Sequence, residues 1–295
     1  GEAATAGLIN LKRRNGDNRV DLPIEDFIAL RNLIYERTGM FFGENKIYYI
    51  KKRLHKRMQA CCADTVHEYI RFLKFFDPKQ REFQELVNLL TVNETYFFRE
   101  FSQLKVFAEH CLPEIVEQKQ RTGDTTLKLF SAGCSTGEEP YTLAIILSEM
   151  LDDPTQWEVM IKAVDIDENV LKTARRGVYD PRSVKDVPPA YLQKYFTTPS
   201  PGVFAVKPEL QEMVVFEHLN LMDRRALRYE NNYDFIFCRN VLIYFDDAAR
   251  KQLVERFYTM LNKGGFIFLG HAESLSRIST AFKIRKMDGH IVYQA

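Results

Sequence analysis

Hydrophobic positions between residues 21 and 90 recur at the spacing of α-helices. Phe27, Leu30 and Ile34 lie three or four residues apart and would share one helical face, and Gly39 follows them as a candidate C-cap. The pattern predicts a small all-α domain over this part of the chain.

A second predicted helix has one hydrophobic and one basic face. The helical spacing of NKIYYIKKRLHKRM puts four apolar side chains on one stripe and three basic ones on the opposite face, which has no acidic residue. The stripe consists of Ile47, Ile50, Leu54 and Met58. The basic face consists of Lys52, Arg53 and Lys56.

From residue 125 onward, apolar strand patterns alternate with helical ones. The runs LKLFSAG, VMIKAVDID, YDFIFCRN and GGFIFLGH are continuous enough to be buried strands, and helical patterns lie between them. Such alternation predicts an α/β fold with a parallel sheet covered by helices on both faces. A stretch at about 180–217 contains many prolines and the short β-like pieces VFAVK and MVVFE, which is typical of a small inserted β subdomain.

Composition and charge narrow the class of protein. The chain has 295 residues, 45% of them hydrophobic and 27% charged, which indicates an ordinary globular protein of about two packed units. No apolar run is long enough for a membrane span or a signal peptide, so we expect a cytoplasmic protein without membrane insertion. Residues 1–20 are expected to form a mobile tail. The net charge of +1 argues against a whole-protein nucleic-acid surface.

The strongest local signal is LFSAGCSTGEEPYTLA. Gly133 and Gly137 permit a tight loop between a strand and a helix, as in folds that bind a nucleotide-like ligand at the carboxyl edge of a sheet. Glu138 and Glu139 occupy the helix start, where they would repel a phosphate and suit a ligand with positive charge, such as an amino group or a sulfonium. Their simpler role would be to complement the helix dipole.

Other polar residues follow the predicted strands at the same edge. Asp165 could accept hydrogen bonds from ribose hydroxyls or could only cap the next helix. Arg239 and Asn240 leave another buried strand, with Tyr244 one turn later. The pair Asn220 and Leu221 is similarly placed, and there a plain loop role is equally compatible with the sequence. Adenosine without phosphates would fit these groups.

The segment LTVNETYFFRE, residues 90–100, contains most of the predicted linker at 91–101, which joins the helical part to the α/β part. It combines Asn93, Thr95 and Arg99 with a run of aromatic residues, whereas flexible linkers are usually rich in glycine or serine. We therefore expect this linker to pack into the site.

In this order, the motifs resemble those of the CheR family of S-adenosylmethionine-dependent methyltransferases. The resemblance extends from Pro23 to the C-terminus. The motifs that carry it are N-x-T-x-F-F-R, S-A-G-C-S-T-G-E-E-P-Y, D-I-D, F-C-R-N-V-x-I-Y-F-D and G-H-x-E-S. It implies a helical receptor-docking domain, a linker that contributes to the site, and a Rossmann-like class I methyltransferase domain over residues 102–295 with the inserted β subdomain.

The resemblance also implies roles for single residues. Arg99 and Tyr244 would be catalytic, holding the substrate carboxylate near the methyl group. The implied cofactor contacts are Asn93, Thr95, Arg99, Glu139, Asp165, Asn220, Leu221, Arg239 and Asn240. Glu139 is preferred to Glu138 because the second acid of the pair is the contact in the family motif.

The implied activity is methyl transfer from S-adenosylmethionine to glutamate carboxylates of bacterial chemoreceptor cytoplasmic domains. This reaction serves chemotaxis adaptation or a related chemosensory pathway, yields S-adenosylhomocysteine and uses no metal. A glutamate with a pKa of about 4.3 is already ionised at neutral pH, so no general base is needed. The basic face of Lys52, Arg53 and Lys56 would steer the acidic receptor, although it could equally be a solvated surface.

Three alternatives remain at this stage. Two adjacent acids at the helix start argue against an oxidoreductase that binds a nicotinamide dinucleotide. A nucleic-acid methyltransferase would share the sheet and cofactor, but Arg-Asn-Val-Leu at the strand exit differs from the Asn/Asp-Pro-Pro-aromatic motif of base-flipping amino methyltransferases. A non-catalytic signalling module would be expected to lack Arg99 or Tyr244.

The turn between Thr197 and Val203 is shorter than in family members that bind a C-terminal pentapeptide tether of the receptor, so we expect no tether.

Overall fold

The computed structural model describes residues 20–91, 94–270, 273–275 and 279–295. The predicted mobile tail, apart from residue 20, and the predicted contact Asn93 lie outside these ranges. The chain divides into two compact units. Unit 1 comprises Gly1–Ile34 and Phe42–Leu90, and unit 2 comprises Tyr35–Phe41 and Thr91–Ala295.

Unit 1 is all-α, as predicted. The helices of this part of the chain are α1 (Ile24–Thr38, which extends into unit 2), α2 (Ile47–Ala60), α3 (Val66–Phe75) and α4 (Arg81–Leu90). Ile50, Leu54 and Met58 of the predicted stripe on α2 are buried, while Ile47 at the helix start is half-buried. The hydrophobic spacing therefore identified the inward face of α2.

A buried ion pair joins α2 to α4. The guanidinium of Arg57 binds the carboxylate of Glu82, with 2.8 Å between Nε and Oε1, and the hydroxyl of Tyr69 donates to the same oxygen at 2.8 Å. Glu82 is only 8% exposed, so these bonds compensate its loss of hydration. This link fixes the rotation of α2 within unit 1 and with it the direction of the basic face.

Unit 2 contains a seven-stranded, mostly parallel sheet. Its strands are β1 (Thr126–Ala132), β2 (Glu158–Asp165), β6 (Val214–His218), β7 (Tyr233–Cys238), β8 (Leu261–Leu269), β9 (Lys283–Met287) and β10 (His290–Gln294). The order is β6-β2-β1-β7-β8-β10-β9, in which neighbours among the first five strands are parallel and β10 is antiparallel to both β8 and β9. The predicted α/β fold is confirmed, and the antiparallel hairpin at its edge is an addition that the sequence analysis missed.

A separate three-stranded sheet forms the small β subdomain. Its order is β3-β5-β4, where β3 is Val178–Tyr179, β4 is Phe196–Ser200 and β5 is Val203–Val206. The sequence analysis placed MVVFE in this insertion, but that piece forms β6 and pairs with β2 in the main sheet. A short apolar run in the small β subdomain has the same local sequence pattern as one in the main sheet. Only its pairing with a distant strand shows to which sheet the run belongs.

The helices of unit 2 follow the predicted alternation. They are α5 (Phe101–Val106), α6 (Leu112–Thr122), α7 (Glu138–Met150), α8 (Glu168–Arg176), α9 (Pro189–Tyr195), α10 (Pro208–Gln211) and α11 (Asp247–Met260). Between α5 and α6 the chain makes one π-helical turn that carries Phe107, whose ring packs at 4.9 to 5.7 Å from those of Phe235, Phe237 and Phe268. Among the described helices, none has the length and apolar character needed to cross a membrane.

Candidate functional site

A cleft lies where β1, β2 and β7 end. Carboxyl ends of neighbouring parallel strands meet at one edge of a sheet, and the loops that follow them form the cleft walls. Including its open mouth, the cleft measures about 960 Å³. Every predicted catalytic or cofactor-binding residue within the described ranges lines it: Thr95, Arg99, Glu139, Asp165, Asn220, Leu221, Arg239, Asn240 and Tyr244.

The loop after β1 brings its backbone close to the next wall of the cleft. Gly133 has a φ of +68°, and a Cβ there would lie 2.5 Å from Cγ2 of Val241. Ser135 adopts a φ of 52°, which is left-handed and rare for a non-glycine residue. The loop therefore depends on glycine at Gly133, which lines the cleft while its backbone packs closely against Val241.

The two acids that follow this loop face different spaces. Glu139 lines the cleft, whereas Glu138 lines a neighbouring polar cavity that shares Thr95 with it. Glu138 is 1% exposed, its carboxyl bonds the hydroxyl of Thr136, and burial raises its pKa to about 7. Between the two candidates, the structure thus presents Glu139 to the cleft.

Arg239 is the centre of a buried polar network. Its side chain is 4% exposed, and its Nε donates to Oε2 of Glu139 at 2.9 Å. Its Nη1 donates to the carbonyl of Arg99 at 2.9 Å and to Oε1 of Gln103 at 3.3 Å. The other carboxylate oxygen of Glu139 accepts from the hydroxyl of Ser131 at 2.7 Å. Arg239 consequently connects the helix start at Glu139 with the segment that carries Arg99.

Asp165 closes the floor of the cleft at the end of β2. One carboxylate oxygen accepts the backbone N–H of Ser135 at 2.9 Å, and the other accepts that of Asp167 at 2.8 Å. Burial raises the pKa of Asp165 to about 6, and the backbone hydrogen bonds from Asp167 and Ser135 oppose this shift. Asp167, which the sequence analysis did not assign, caps α8 through the backbone N–H of Asn169 at 2.8 Å.

The segment before α5 holds Arg99 in a strained stretch of backbone. Its neighbours Phe98 and Glu100 have φ values of 60° and 55°. The backbone N–H of Phe98 donates to Oγ1 of Thr142 on α7 at 3.1 Å, and Nη1 of Arg99 donates to the carbonyl of Glu94 at 2.5 Å. These bonds anchor the predicted linker within unit 2 and place Arg99 on the cleft wall.

Asn240 and Tyr244 enter the cleft from the loop after β7. Asn240 has a φ of 62°, and Tyr244 ends the short 3-10 turn Leu242–Tyr244. The carbonyl of Tyr244 accepts the backbone N–H of Phe41 at 2.8 Å.

Asn220 and Leu221 lie on the opposite wall, after β6. The side-chain amide of Asn220 donates to the carbonyl of Arg37 at 2.6 Å, and its oxygen accepts the backbone N–H of Met222 at 3.0 Å. The amide of Asn220 thus shapes the loop, while Leu221 offers an apolar surface to the cleft.

The sequence analysis gave no role to Glu273, although it lies in the motif G-H-x-E-S. Its Oε1 accepts the backbone N–H of Asn240 at 2.7 Å and that of Gly270 at 2.9 Å. The signal available in the sequence was an acidic residue close after a buried strand.

The donor set of the cleft fits an adenosine-type cofactor with a positively charged end. Two carboxylates, of Glu139 and Asp165, line it together with Gly133, and both acids would repel a phosphate. Within the described ranges, no group of three or more His, Cys, Asp and Glu side chains could hold a metal ion. That the reaction uses no metal stays a prediction.

Both parts of the chain match one protein family. Residues 93–291 match the description "CheR methyltransferase, SAM binding domain", and residues 25–91 match "CheR methyltransferase, all-alpha domain". These two matches leave residues 1–24, 92 and 292–295 uncovered.

Curated relatives are similar over nearly their full length. "Chemotaxis protein methyltransferase 2" of Vibrio cholerae is 40% identical over 269 residues, which cover 91% of this chain and 92% of that protein. "Chemotaxis protein methyltransferase" of Salmonella typhimurium is 36% identical over 279 residues, which cover 93% and 91%. The protein of the same name from Borreliella burgdorferi is 32% identical over 268 residues, which cover 90% and 94%.

Proposed function

The chain belongs to the CheR methyltransferase family and is an S-adenosylmethionine-dependent methyltransferase. From this premise we propose that it methylates glutamate side chains of chemoreceptor cytoplasmic domains and forms glutamyl methyl esters. The names of its relatives support a chemotaxis role, and the resemblance of its motifs points to receptor glutamates.

One observation carries the proposal: Glu139 and Asp165 line the same cleft as Arg99 and Tyr244. The two acids suit the amino and ribose groups of the cofactor, and the other two residues suit a substrate carboxylate. The proposed cofactor contacts are Thr95, Arg99, Glu139, Asp165, Asn220, Leu221, Arg239 and Asn240, together with Asn93 outside the described residues. Arg239 would act partly through Glu139, because its Nε and Nη1 are engaged by protein groups.

Bound S-adenosylmethionine supplies an electrophilic methyl group, so the protein has to bring an ionised carboxylate into line with it. Arg99 can bind that carboxylate through charged hydrogen bonds, and the hydroxyl of Tyr244 can donate a further one. The substrate is already an anion, so the task is orientation and removal of water rather than proton abstraction. Very strong binding of the substrate carboxylate would lower the nucleophilicity of its oxygen. Arg99 and Tyr244 should therefore position the carboxylate without neutralising its charge.

We propose the basic face of α2 as the receptor-docking surface. Lys52 and Lys56 are exposed, and among the described residues neither forms an ion pair. Arg53 is half-buried, because its guanidinium lies 3.5 Å from the ring centre of Tyr49. The two lysines therefore offer mobile charge to an acidic helix, while Arg53 is held against the protein surface.

We further propose that receptor recognition does not require a C-terminal tether and that nucleic acid is not a substrate. Strands β4 and β5 of the small subdomain are joined by a tight turn at Pro201 and Gly202. This turn leaves little loop between the strands to grip a peptide. Saturable binding of a receptor-tail peptide would contradict this preference.

The test is methyl transfer from radiolabelled S-adenosylmethionine to a panel of receptor cytoplasmic fragments, followed by mild alkali. Alkali-labile label that is released as volatile methanol is expected, because methyl esters hydrolyse under these conditions. Arg99→Ala should lose at least about 100-fold in kcat through loss of orientation. Arg121→Ala is the matched control, since that arginine is 73% exposed and its one ion pair among the described residues is with Glu117 on its own helix. Alkali-stable label, or label on nucleic acid alone, would refute the glutamate assignment.

A further inference from the structure

Glu273 links the exits of two neighbouring strands, β7 and β8. Its carboxylate Oε1 accepts the backbone N–H of Asn240 at 2.7 Å and that of Gly270 at 2.9 Å. Its own backbone N–H donates to the carbonyl of Gly270 at 3.0 Å. A single oxygen atom thus ties the loop after β7 to the loop after β8.

The carboxylate is shielded from solvent, and it is Oε1 that faces the two backbone donors, while Oε2 is buried without a hydrogen-bond partner among the described residues. Burial raises the pKa of Glu273, and the backbone amides of Asn240, Gly270 and Leu242 oppose that rise, with a smaller contribution from the charge of Arg250. Buried acceptors that bind backbone N–H groups restrict the chain more firmly than acceptors that exchange with water. Glu273 is therefore a fixed anchor rather than a mobile surface acid.

The anchored loops fit closely against each other. A Cβ at Gly270 would lie 2.6 Å from Oδ1 of Asn240 and 2.6 Å from Oε1 of Glu273, so a larger residue would force the strand exits apart. Asn240 itself has a φ of 62°, a conformation that needs support in a residue with a side chain. Two separate features, a close approach and a left-handed residue, thus meet at this carboxylate.

The loop held by Glu273 carries two of the proposed site residues. Asn240 lines the cleft directly, and Tyr244 follows four residues later, with its backbone N–H bonded to the carbonyl of Val241 at 3.1 Å. A shift at Asn240 would move the turn that presents the Tyr244 hydroxyl. Such shifts of about 1 Å can lower rates by about 100-fold.

We infer that Glu273 is a positioning residue for methyl transfer: as a hydrogen-bond acceptor it fixes Asn240, and with it the turn that brings Tyr244 to the cleft. The inference rests on the proposed roles of Asn240 and Tyr244. It assigns Glu273 no contact with the substrate carboxylate, which its negative charge would repel.

Two variants separate the acceptor from the charge. Glu273→Gln removes the charge but keeps a side-chain oxygen at the same reach, whereas Glu273→Asp keeps the charge and shortens the side chain by one methylene. We expect Glu273→Gln to retain kcat within about threefold, and Glu273→Asp to lose about 10- to 100-fold with a smaller change in the KM for receptor. Hydrogen exchange of the Asn240 amide should accelerate in Glu273→Asp and stay slow in Glu273→Gln.

Asp234→Asn is the matched control. Asp234 is also a buried carboxylate that binds a backbone N–H, that of Lys128 at 3.0 Å, but it lies at the opposite end of β7. This change should lower the Tm while leaving kcat and the exchange of the Asn240 amide as they are in the unaltered protein. The control therefore measures the effect of altering a buried carboxylate whose role is only structural.

The outcomes are distinct. If Glu273→Asp were fully active, or if Glu273→Gln lost as much kcat as Glu273→Asp, the acceptor role would be refuted. Amide exchange and calorimetric binding of S-adenosylhomocysteine require no receptor. They would thus still report on Glu273 if no receptor fragment were methylated and the proposed substrate failed.

Discussion

Asp165 shows how a single residue combines a ligand-binding position with an unfavourable environment. Its carboxylate lines the cleft and accepts two backbone N–H groups, yet burial raises its pKa to about 6. Its folded-state pKa lies above the ordinary value of 3.8, so its contribution to stability is fully present below about pH 3.8. That contribution is lost as the pH rises through about 6, the same range in which the carboxylate becomes able to accept from a ribose.

We therefore predict that affinity for S-adenosylhomocysteine falls as the pH is lowered from 7 to 5. With the pKa of Asp165 near 6, protonation should weaken binding by about tenfold across this range. Calorimetric titration at several pH values would measure it. Glu138 and Glu273 are other acids with a raised pKa near the cleft, so Glu138→Gln and Glu273→Gln should each preserve the pH dependence if Asp165 is responsible. A flat profile, or one that disappears only in Glu138→Gln, would contradict the assignment.

The sequence predicted which residues line the site better than it predicted the hydrogen-bond partners of those residues. Strand and helix patterns sufficed to place Asp165, Arg239 and Tyr244 at one sheet edge, and all three line the cleft. No local pattern indicated that Arg239 binds Glu139, because that pair is 100 positions apart in the chain. Glu273 was missed for the same reason, since its meaning depends on the approach of two strand exits.

Among the elements, the loop between β1 and α7 depends most on one residue. We predict that Gly133→Ala lowers the free energy of unfolding by about 1–3 kcal/mol, because a left-handed φ is strained for alanine. It should also weaken cofactor affinity at least tenfold, because the new Cβ would lie 2.5 Å from Val241 and displace the cleft wall. Chemical denaturation and calorimetry would measure the two effects.

Gly123→Ala separates the two causes. Gly123 has a similar φ of +76°, but a Cβ there meets nothing within 4 Å. This variant should show the backbone strain alone and bind the cofactor normally. Equal cofactor affinities in the two variants would mean that the close approach of Gly133 to Val241 does not shape the site.

The periodicity of hydrophobic residues predicted those features of each helix and strand that depend only on neighbouring residues in the chain. The buried stripe of α2 and the alternating strands and helices of unit 2 follow from spacing and are confirmed. The sheet membership of β6 and the antiparallel hairpin of β9 and β10 do not follow, since strand pairing is decided by contacts between distant segments. The hairpin also has weak patterning, because in β9 the apolar Ile284 is exposed while the charged Arg285 is half-buried.

At the scale of the whole molecule, the nearly balanced charge of +1 makes local charge the means of attracting a partner. We predict that the double variant Lys52→Glu and Lys56→Glu raises the KM for receptor about tenfold and leaves cofactor affinity unchanged. The difference should shrink at high salt, because exposed charges are screened. Arg53 is left intact because it packs on Tyr49, and its reversal would disturb α2 itself.

Lys283→Glu with Lys286→Glu is the charge-matched control. Both lysines are exposed on β9 in unit 2, so the net charge changes equally while the basic face of α2 stays intact. If this control raised the receptor KM as much as the α2 variant, overall charge rather than a docking face would govern encounter. An unchanged KM in the α2 variant would remove the docking role.

The left-handed residues around the cleft have a consequence for how this protein would respond to laboratory evolution. Glu100, Ser135 and Asn240 hold conformations that glycine adopts more easily, by about 1 kcal/mol each. A campaign that selected only for heat resistance would therefore accumulate glycines at these three positions. The selected variants would have a higher Tm and a lower kcat. The strained backbone that they had lost is what holds the reactive side chains in place.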